Sequence, residues 1–341
     1  LIKDAVSFTA LRSRYLELLH ESAQTAMQAL GLSTRNALMR EVLDTAVFAA
    51  ANNQPLLITG ETGTGKGVIA QAIHQLSHRK SNSFVRFQPF FSGHDLVASD
   101  LFGHRKGAFT GATDERRGLI EEAHRGTLFI DEVADLPQET QVMLLHVLQE
   151  RTFRRIGSTK ELSSDFRLIT ATNRTPDEML KKEMLRQDFF HRIAHLTLEV
   201  PPLRKRSEDI PQLAFHFAAA LANRENLRIQ GFAANALKKL TRHSWPGNVR
   251  ELQAAAEGGA YRAHYHHRRF IEADDLKISG KQPARAGTTL SFREQVNAFE
   301  QQLVLQTLSE TGGNQTRAAE LLGLERSSFR RILKRAQVRL S

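Results

Sequence analysis

Short apolar runs alternate with longer amphipathic stretches through the middle of the chain. Runs of four or five residues, rich in β-branched and aromatic side chains, lie at 56–59, 84–87, 127–130, 166–170 and 196–200. The stretches between them are long enough for crossover helices. The pattern therefore predicts an α/β fold with a five-stranded parallel sheet.

The flanking segments have helical rather than strand patterns. Apolar residues recur at helical spacing over 7–30 and 35–51 before the sheet, and over 208–224, 232–243 and 248–266 after it. We expect no strand beyond Pro201. The predicted domains are an N-terminal connecting helix at 1–30, an α/β core at 31–200, a helical lid at 201–279, a linker at 280–290 and a last helical unit at 291–341.

Composition narrows the class of protein. The 341 residues include no cysteine, which excludes disulfides and thiolate chemistry and favours a cytoplasmic location. No apolar run reaches about 18 residues, so we expect no membrane span. The net charge of +10 exceeds what a nucleotide requires and indicates a polyanionic partner. The sequence starts at Leu1 and can be a piece of a longer chain.

The first strand runs into a glycine-rich segment that is typical of phosphate binding. This segment and the start of the following helix comprise Gly60, Glu61, Thr62, Gly63, Thr64, Gly65, Lys66, Gly67 and Val68. Glycines let backbone N–H groups point at phosphate oxygens, and the lysine adds a positive charge at the terminal phosphates. Because the segment lies between a strand and a helix, we favour a nucleotide site over an ordinary turn.

Polar residues follow the third and fourth strands. Asp131 and Glu132 come directly after the run at 127–130, and Asn173 follows the run at 166–170. We expect them beside the phosphate loop, because parallel strands end at one edge of the sheet. Asp131 is the candidate Mg²⁺ ligand, Glu132 would polarise the attacking water, and Asn173 would orient it. Alternatively, the acidic pair caps the next turn.

Two arginines are candidates for contact with a nucleotide, and a third lies at the start of a lid helix. Arg186 and Arg192 can reach the site of a neighbouring subunit as arginine fingers, or they can be ordinary surface residues. Arg250 follows Trp245 and a Pro-Gly-Asn turn, which would start a helix of the lid. We expect Trp245 in the core of the lid.

A further segment carries one aromatic side chain and one hydroxyl between glycines: Gly107, Ala108, Phe109, Thr110, Gly111 and Ala112. By itself it is typical of a surface turn. With the phosphate loop and the acidic pair, it resembles the bacterial enhancer-binding proteins, the AAA+ activators of sigma-54 RNA polymerase. The resemblance covers residues 31–341. It implies that the 107–112 segment exposes Phe109 and engages sigma-54 during an ATP cycle.

The resemblance implies roles for weaker signals. ATP with Mg²⁺ is the expected ligand, a hexameric ring the expected assembly, and sigma-54 RNA polymerase holoenzyme the expected partner. Arg186 and Arg192 match the trans-acting arginines of the family, Asn173 its first sensor and Arg250 its second. Residues 151–164 match a second pore loop, which helps to move the first.

Two positions depart from the family. Gly67 replaces an acidic residue after the lysine. Gln88 replaces an asparagine that switches the water-polarising glutamate. Glutamine keeps the amide but lengthens the side chain, so the geometry beside the glutamate changes.

The last unit resembles the Fis-type helix-turn-helix that closes many members of this family. Ala318 and Ala319 are small enough for a close helix crossing, and residues 326–341 contain six Arg or Lys and no acid. A solvated basic helix is the alternative. We expect a helix at 292–309 to form a dimer, since one such unit reads half a site. The residues expected to face double-stranded enhancer DNA are Arg317, Arg326, Ser327, Ser328, Arg330, Arg331 and Lys334.

Three functions remain open at this point. The leading one is a sigma-54-dependent activator that binds upstream DNA and uses ATP hydrolysis in a ring to open the closed promoter complex. Another AAA+ machine, such as a protein unfoldase or a replication loader, would share the phosphate loop but not the 107–112 segment. The third is a DNA-binding regulator with a degenerate ATPase fold, which Gly67 and Gln88 support.

Overall fold

A computed structural model describes residues 27, 32–89, 96–109 and 112–278, together with 307, 311, 314–322, 329 and 333 in the C-terminal part. The chain divides into two compact units, residues 1–282 and 283–341. Apart from Met27, the predicted helix at 7–30 lies outside the described residues, as does the predicted linker at 280–290.

Strands and helices alternate through the core, as the apolar runs predict. In chain order the elements are α1 (Ala37–Ala50), β1 (Leu56–Thr59), α2 (Lys66–Leu76), β2 (Phe84–Phe87), α3 (Val97–Phe102), β3 (Gly103–His104), β4 (Arg116–Arg117), α4 (Leu119–Glu122), β5 (Thr127–Asp131), α5 (Gln138–Glu150), β6 (Thr152–Arg154), β7 (Glu161–Ser163), β8 (Arg167–Thr172), α6 (Pro176–Lys181), α7 (Gln187–Ile193) and β9 (Leu196–Glu199). Local signals set some of the boundaries: α1 begins after Asn36, whose side chain accepts from Met39 N, and Thr175 and Glu178 form a capping box on α6.

Five strands form one parallel sheet in the order β2-β5-β8-β1-β9. The predicted α/β fold with a five-stranded parallel sheet is confirmed. The register pairs Thr59 with Thr172 and Asp131 with Ala171. The segments that follow β1, β5 and β8 therefore meet at one edge of the sheet.

Both faces of this sheet are buried. On β5, Leu128 and Ile130 belong to one hydrophobic cluster, while Phe129 belongs to the cluster on the other face with Ile69 of α2. Successive side chains of a strand point to opposite faces, so a strand covered on both sides needs a continuous apolar run. This explains why the strands have no polar alternation.

The lid is a small helical layer that follows two short 3₁₀ turns. Its elements are α8 (Ile210–Glu225), β10 (Gly231–Phe232), α9 (Ala234–Arg242), α10 (Asn248–Tyr265) and β11 (Phe270–Ile271). Trp245 is fully buried in the lid cluster, and its indole N–H donates to Leu240 O at 2.9 Å. The expected position of Trp245 in the lid core is confirmed.

Three short strand pairs are absent from the sequence-based prediction. β3 pairs with β4 and β6 with β7, both antiparallel, and β10 pairs with β11 in parallel. The expectation of no strand beyond Pro201 is therefore wrong. Pairs of two or three residues are too short to show a periodic pattern, and tertiary contacts form them.

In the C-terminal unit the described residues include α11 (Gln315–Leu321). Asn314 Oδ1 accepts from Thr316 N and Arg317 N at 3.1 and 3.2 Å, which caps this helix. Ala318 and Ala319 are buried and cluster with Phe329 and Leu333. None of the described helices is both long and apolar enough to cross a membrane.

The lid core generates a stability prediction. Leu252 of α10 is fully buried in it, so Leu252→Ala should lower the free energy of unfolding of the lid by about 2–5 kcal/mol. Trp245 is the only tryptophan, and its fluorescence during urea denaturation reports the lid alone. Tyr265 on the same helix is 79% exposed. Tyr265→Ala should change the free energy of unfolding of the lid by less than about 0.5 kcal/mol. Equal effects of the two changes would contradict this packing.

Candidate functional site

The phosphate loop joins β1 to α2 through residues with left-handed backbone angles. Gly60, Gly63 and Gly65 have φ values of 145°, 80° and 104°, which glycine adopts most readily. A Cβ on Gly60 would lie 2.7 Å from Val200 O, and one on Gly63 would overlap Gly247 O. A Cβ on Gly65 would meet no described atom within 4 Å. The loop is packed on two sides and open at the N-terminus of α2, where an anion is favoured.

Lys66 is the first residue of α2, and its side chain is buried. Its Nζ donates to Gly60 O at 2.8 Å and to Glu61 O at 3.3 Å, and lies 3.8 Å from Glu132 Oε1. Burial lowers the pKa of Lys66, and the carboxylates of Glu132 and Asp131 partly oppose this effect. The carbonyls of the loop thus hold the ammonium group at the place where phosphate oxygens would replace them.

Glu132 has an unusual backbone conformation at the end of β5. Its φ is 57°, in the left-handed region that costs energy for a residue with a side chain. Glu132 Oε2 accepts from Asn173 N at 2.9 Å, and Asn173 Nδ2 donates to Thr62 Oγ1 at 3.0 Å. The structure therefore brings Glu132 and Asn173 together beside the phosphate loop, where the strand order predicts them. Their catalytic roles remain predictions.

Asp131 is paired with a residue to which the sequence assigned no role. Arg86 Nη2 donates to Asp131 Oδ2 at 2.5 Å, and the Arg86 guanidinium lies 5.7 Å from the ring centroid of Phe129. The same guanidinium would lie 3.6–3.7 Å from a Cβ on Gly67. A side chain larger than alanine at position 67 would therefore compete with Arg86 for space.

The predicted switch residue makes no described hydrogen bond to the glutamate that it would control. Gln88 directly follows β2 and is half-buried. Both side chains are described, and no hydrogen bond joins Gln88 to Glu132, whose described partners are Asn173 N and Lys66. The role of Gln88 as a switch remains a prediction.

The phosphate loop contacts the lid through its backbone. Val249 N, in the first turn of α10, donates to Gly63 O at 2.9 Å. Arg206 is buried, and its Nη2 donates to Thr64 O at 2.7 Å. Arg250 follows in α10 and is exposed, with its Cβ 3.2 Å from the place of a Cβ on Gly63. The predicted second-sensor residue thus lies directly above the phosphate loop.

A polar cluster strengthens this contact. Arg204 donates to both carboxylate oxygens of Glu61, at 2.5 and 2.7 Å. The Arg204 guanidinium, helped by Asn248, lowers the pKa of Glu61 to about 2, so this carboxylate stays ionised. Asn248 is fully buried; its Nδ2 donates to Glu61 Oε2 and Thr62 O, both at 3.1 Å, and its Oδ1 accepts from Leu203 N.

The two candidate arginine fingers have different surroundings. Arg186 is exposed at the start of α7 and makes a bidentate pair with Asp188 at 2.8 and 3.1 Å. It lines an open depression of about 960 Å³ with Asp188 and His191. Arg192 is half-buried, and its Nη2 donates to Leu148 O at 2.7 Å. Arg186 is available to another molecule, whereas Arg192 also supports the end of α5.

Phe109 is less exposed than the sequence predicts. Its ring is half-buried and meets the His104 ring edge-on, with centroids 5.0 Å apart. Gly107 N donates to Ala112 O at 2.8 Å, which closes the base of the 107–112 segment. Thr110 and Gly111 lie outside the described residues. The expectation of an exposed aromatic ring is corrected, because the preceding strand supplies an imidazole on which the ring packs.

The β6–β7 hairpin supports the 107–112 segment from below. Arg105 N donates to Ile156 O at 3.0 Å, and Ile156 N donates to Gly103 O at 2.9 Å. Gly157 has a φ of 74°, and a Cβ on it would lie 2.9 Å from the Cβ of Ala108. Backbone hydrogen bonds therefore join the hairpin to the residues just before the 107–112 segment, and Gly157 lies beside Ala108.

Of the residues predicted to face DNA, the structure describes Arg317. Arg317 is exposed on α11, while Arg326, Ser327, Ser328, Arg330, Arg331 and Lys334 lie outside the described residues. Their contact with DNA stays a prediction, as does dimer formation through 292–309.

Four polar residues of the site were missed by reasoning from the sequence. Arg86, Arg204 and Arg206 had no motif to mark them, and Asn248 was noted only as part of a turn. Each bonds a group distant in sequence. For Arg86 the sequence offered one signal: the missing side chain at Gly67 leaves space that a group from elsewhere in the chain can fill.

The side chains present fit a nucleotide that carries a metal ion with it. Mg²⁺ at phosphate sites is held by one or two carboxylates and by substrate oxygens rather than by a cage of protein ligands. Asp131 supplies one carboxylate beside the loop. Among the described residues no group of three or more His, Asp or Glu could hold a metal ion alone.

Three protein families match successive parts of the chain. The Sigma-54 interaction domain matches residues 32–199, the AAA+ ATPase lid domain matches 204–290, and the Fis family of bacterial regulatory proteins matches 295–335.

Individual relatives agree with these matches. The transcriptional regulatory protein ZraR of Klebsiella oxytoca is 38% identical over 308 residues, which cover 90% of this chain and 69% of the relative. The DNA-binding transcriptional regulator NtrC of Rhizobium meliloti is 35% identical over 349 residues, covering 93% and 71%. The crystal structure of NtrX from Brucella abortus in complex with ATP superimposes with a TM-score of 0.69 at 32% identity, covering 90% and 69%. The chain is an AAA+ ATPase with a Fis-type helix-turn-helix, and it belongs to the family of sigma-54-dependent transcriptional regulators.

Proposed function

We propose that this protein binds upstream DNA and uses ATP hydrolysis in a hexameric ring to convert the closed complex of sigma-54 RNA polymerase into an open one. It would act in the cytoplasm, where the promoter and the polymerase are. The observation that carries the proposal is the pair of backbone hydrogen bonds that join Ile156 of the β6–β7 hairpin to Gly103 and Arg105, just before the 107–112 segment. The same domain holds the phosphate loop, with Lys66, Glu132 and Asn173 beside it.

The residues around the phosphate loop support hydrolysis in the following way. Lys66 exchanges the carbonyls of Gly60 and Glu61 for oxygens of the terminal phosphates. Asp131 would hold Mg²⁺ that is bound with ATP, and the ion would neutralise phosphate charge. Glu132, held by Asn173 N, accepts a hydrogen bond from the attacking water and polarises it.

Subunit contacts complete the site. Arg186 is exposed, and Asp188 is its described side-chain partner, which a more highly charged phosphate can replace. Arg192 acts in the same neighbouring site. Arg250 contacts the nucleotide from the lid of its own subunit, since it lies above Gly63.

Movement reaches the polymerase through the two loops. The β6–β7 hairpin is anchored by Arg155, which donates to both oxygens of Glu121 at 2.7 Å and also to Glu115. Displacement of this hairpin carries Gly103 and Arg105 with it and so lifts Phe109. Arg317 and the basic residues beyond it bind DNA and so keep the ring near the promoter. The C-terminal units pair through residues 292–309.

The chemical step is tested by Glu132→Gln. The amide cannot accept the proton of water in the same way, so single-turnover hydrolysis should fall by about 10²–10⁴-fold while ATP binding persists. Glu150→Gln, an exposed residue at the end of α5, is the matched control and should turn over ATP normally. Undiminished hydrolysis by Glu132→Gln would remove this residue from the mechanism.

The partner contact is tested by Phe109→Ala. Open-complex formation at a sigma-54 promoter should drop at least about 30-fold, as expected for an aromatic residue central to an interface, while ATP turnover remains. Phe48→Ala on α1, where the ring is 64% exposed, serves as the control for loss of a surface aromatic. Normal promoter opening by Phe109→Ala would refute the assignment of this segment.

The trans role of Arg186 is tested by mixing two inactive variants. Arg186→Ala and Lys66→Ala should each lose about 10³-fold in ATP turnover. Their mixture should regain activity, because an intact phosphate loop then meets an intact arginine from its neighbour. A mixture of Lys66→Ala with the double variant Lys66→Ala/Arg186→Ala should remain inactive. If the first mixture is no more active than its parts, Arg186 acts within its own subunit.

A further inference from the structure

We propose that Arg86 is a phosphate-binding residue supplied in cis, which releases Asp131 and binds the terminal phosphate of ATP. This inference rests on the nucleotide site proposed above and adds to it a group that no motif marks. Arg86 would make part of the affinity for ATP independent of a divalent cation.

The position of Arg86 in the sheet aims it at the site. Arg86 pairs in register with Phe129, so both side chains lie on the face that α2 covers. From the edge strand β2 the side chain crosses the Phe129 ring and reaches Asp131 at the end of β5. Its guanidinium lies against Gly67, the residue after Lys66. The end of the Arg86 side chain thus lies beside the residue that follows the phosphate-loop lysine.

Gly67 provides the space for this arrangement. The nearest guanidinium atoms lie 3.6–3.7 Å from the place of a Cβ on Gly67, which is ordinary van der Waals contact. A longer side chain at 67 would occupy the position of the guanidinium. The glycine and the arginine are therefore one structural feature, although they lie on different elements.

The local charges explain why Arg86 can leave Asp131 for a phosphate. Asp131 and Glu132 bring two negative charges to the strand end, and Lys66 and Arg86 balance them. Asp131 is 15% exposed, whereas the Arg86 side chain is 57% exposed and keeps donors free to reach solvent. A terminal phosphate offers three acceptor oxygens and a larger negative charge than a carboxylate. Guanidinium binds such oxygens in a bidentate manner, so the phosphate can displace Asp131.

The exchange would have two consequences. Without a divalent cation, Arg86 both binds phosphate and keeps Asp131 from repelling it. Once Arg86 has turned to phosphate, the carboxylate of Asp131 is free for the cation. Loss of Arg86 should then harm metal-free binding far more than binding in the presence of Mg²⁺.

The experiment compares equilibrium binding of ATP and ADP to the whole chain, by calorimetry, in EDTA and across a MgCl₂ titration. Wild type should bind ATP in EDTA. Arg86→Ala should weaken that binding by roughly tenfold or more, the effect expected for lost hydrogen bonds between charged groups. The affinity for ADP, which lacks the terminal phosphate, should fall less in this variant. MgCl₂ should restore most of its affinity for ATP.

Two further variants separate the possible causes. Arg116→Ala removes an exposed arginine that pairs with Asp100 at 3.0 Å and should leave both affinities unchanged. The double variant Arg86→Ala/Asp131→Asn removes the repulsive carboxylate as well. It should still bind ATP weakly in EDTA if Arg86 binds phosphate. If it recovers wild-type affinity, Arg86 only neutralises Asp131 and the proposal is wrong.

Other outcomes also decide the matter. No binding of ATP by wild type in EDTA, an Arg86→Ala variant that binds like wild type in EDTA, or equal losses for ATP and ADP would each overturn the role of Arg86. Failure of wild type to bind ATP in MgCl₂ would instead refute the nucleotide site itself. The two failures are thus distinguishable.

Discussion

The contact between Gly63 and the first turn of the lid helix α10 is the constraint on which the site depends. A Cβ on Gly63 would overlap Gly247 O, and Gly63 O accepts from Val249 N. This close packing and the hydrogen bond couple the loop to the lid at this point. Anything that changes the phosphate loop must therefore move the start of α10, and with it Arg250.

Polar groups strengthen this contact between the loop and the lid. Asn248 joins the lid to Glu61 and Thr62 and also accepts from Leu203 N, so one buried amide ties three segments together. Glu61 stays ionised because Arg204 holds it. A buried amide with all of these partners is costly to rearrange, since each broken bond leaves an unsatisfied group. We infer that the lid and the loop respond to nucleotide together.

The sequence predicted what depends on local pattern. The strands are continuous apolar runs because both faces of the sheet are covered, and the phosphate loop is contiguous, so both could be read along the chain. The pairs Arg86–Asp131, Arg204–Glu61 and Asn248–Glu61 join residues 45, 143 and 187 positions apart. Such pairs have no period and no motif. The packing of Phe109 on His104 was missed for a related reason: a glycine-bounded turn does not reveal which neighbour will cover its aromatic ring.

The two departures from the family have different physical explanations. Gly67 suggested a degenerate site, yet the guanidinium of Arg86, from strand β2, lies beside the space that a side chain on Gly67 would fill. Gln88 differs from the asparagine of the family, and the described contacts of the Glu132 carboxylate are with Asn173 N and Lys66. Asn173 also reaches Thr62 in the phosphate loop. Movement of that loop would therefore reach Glu132 through Asn173, by contacts that do not pass through β2.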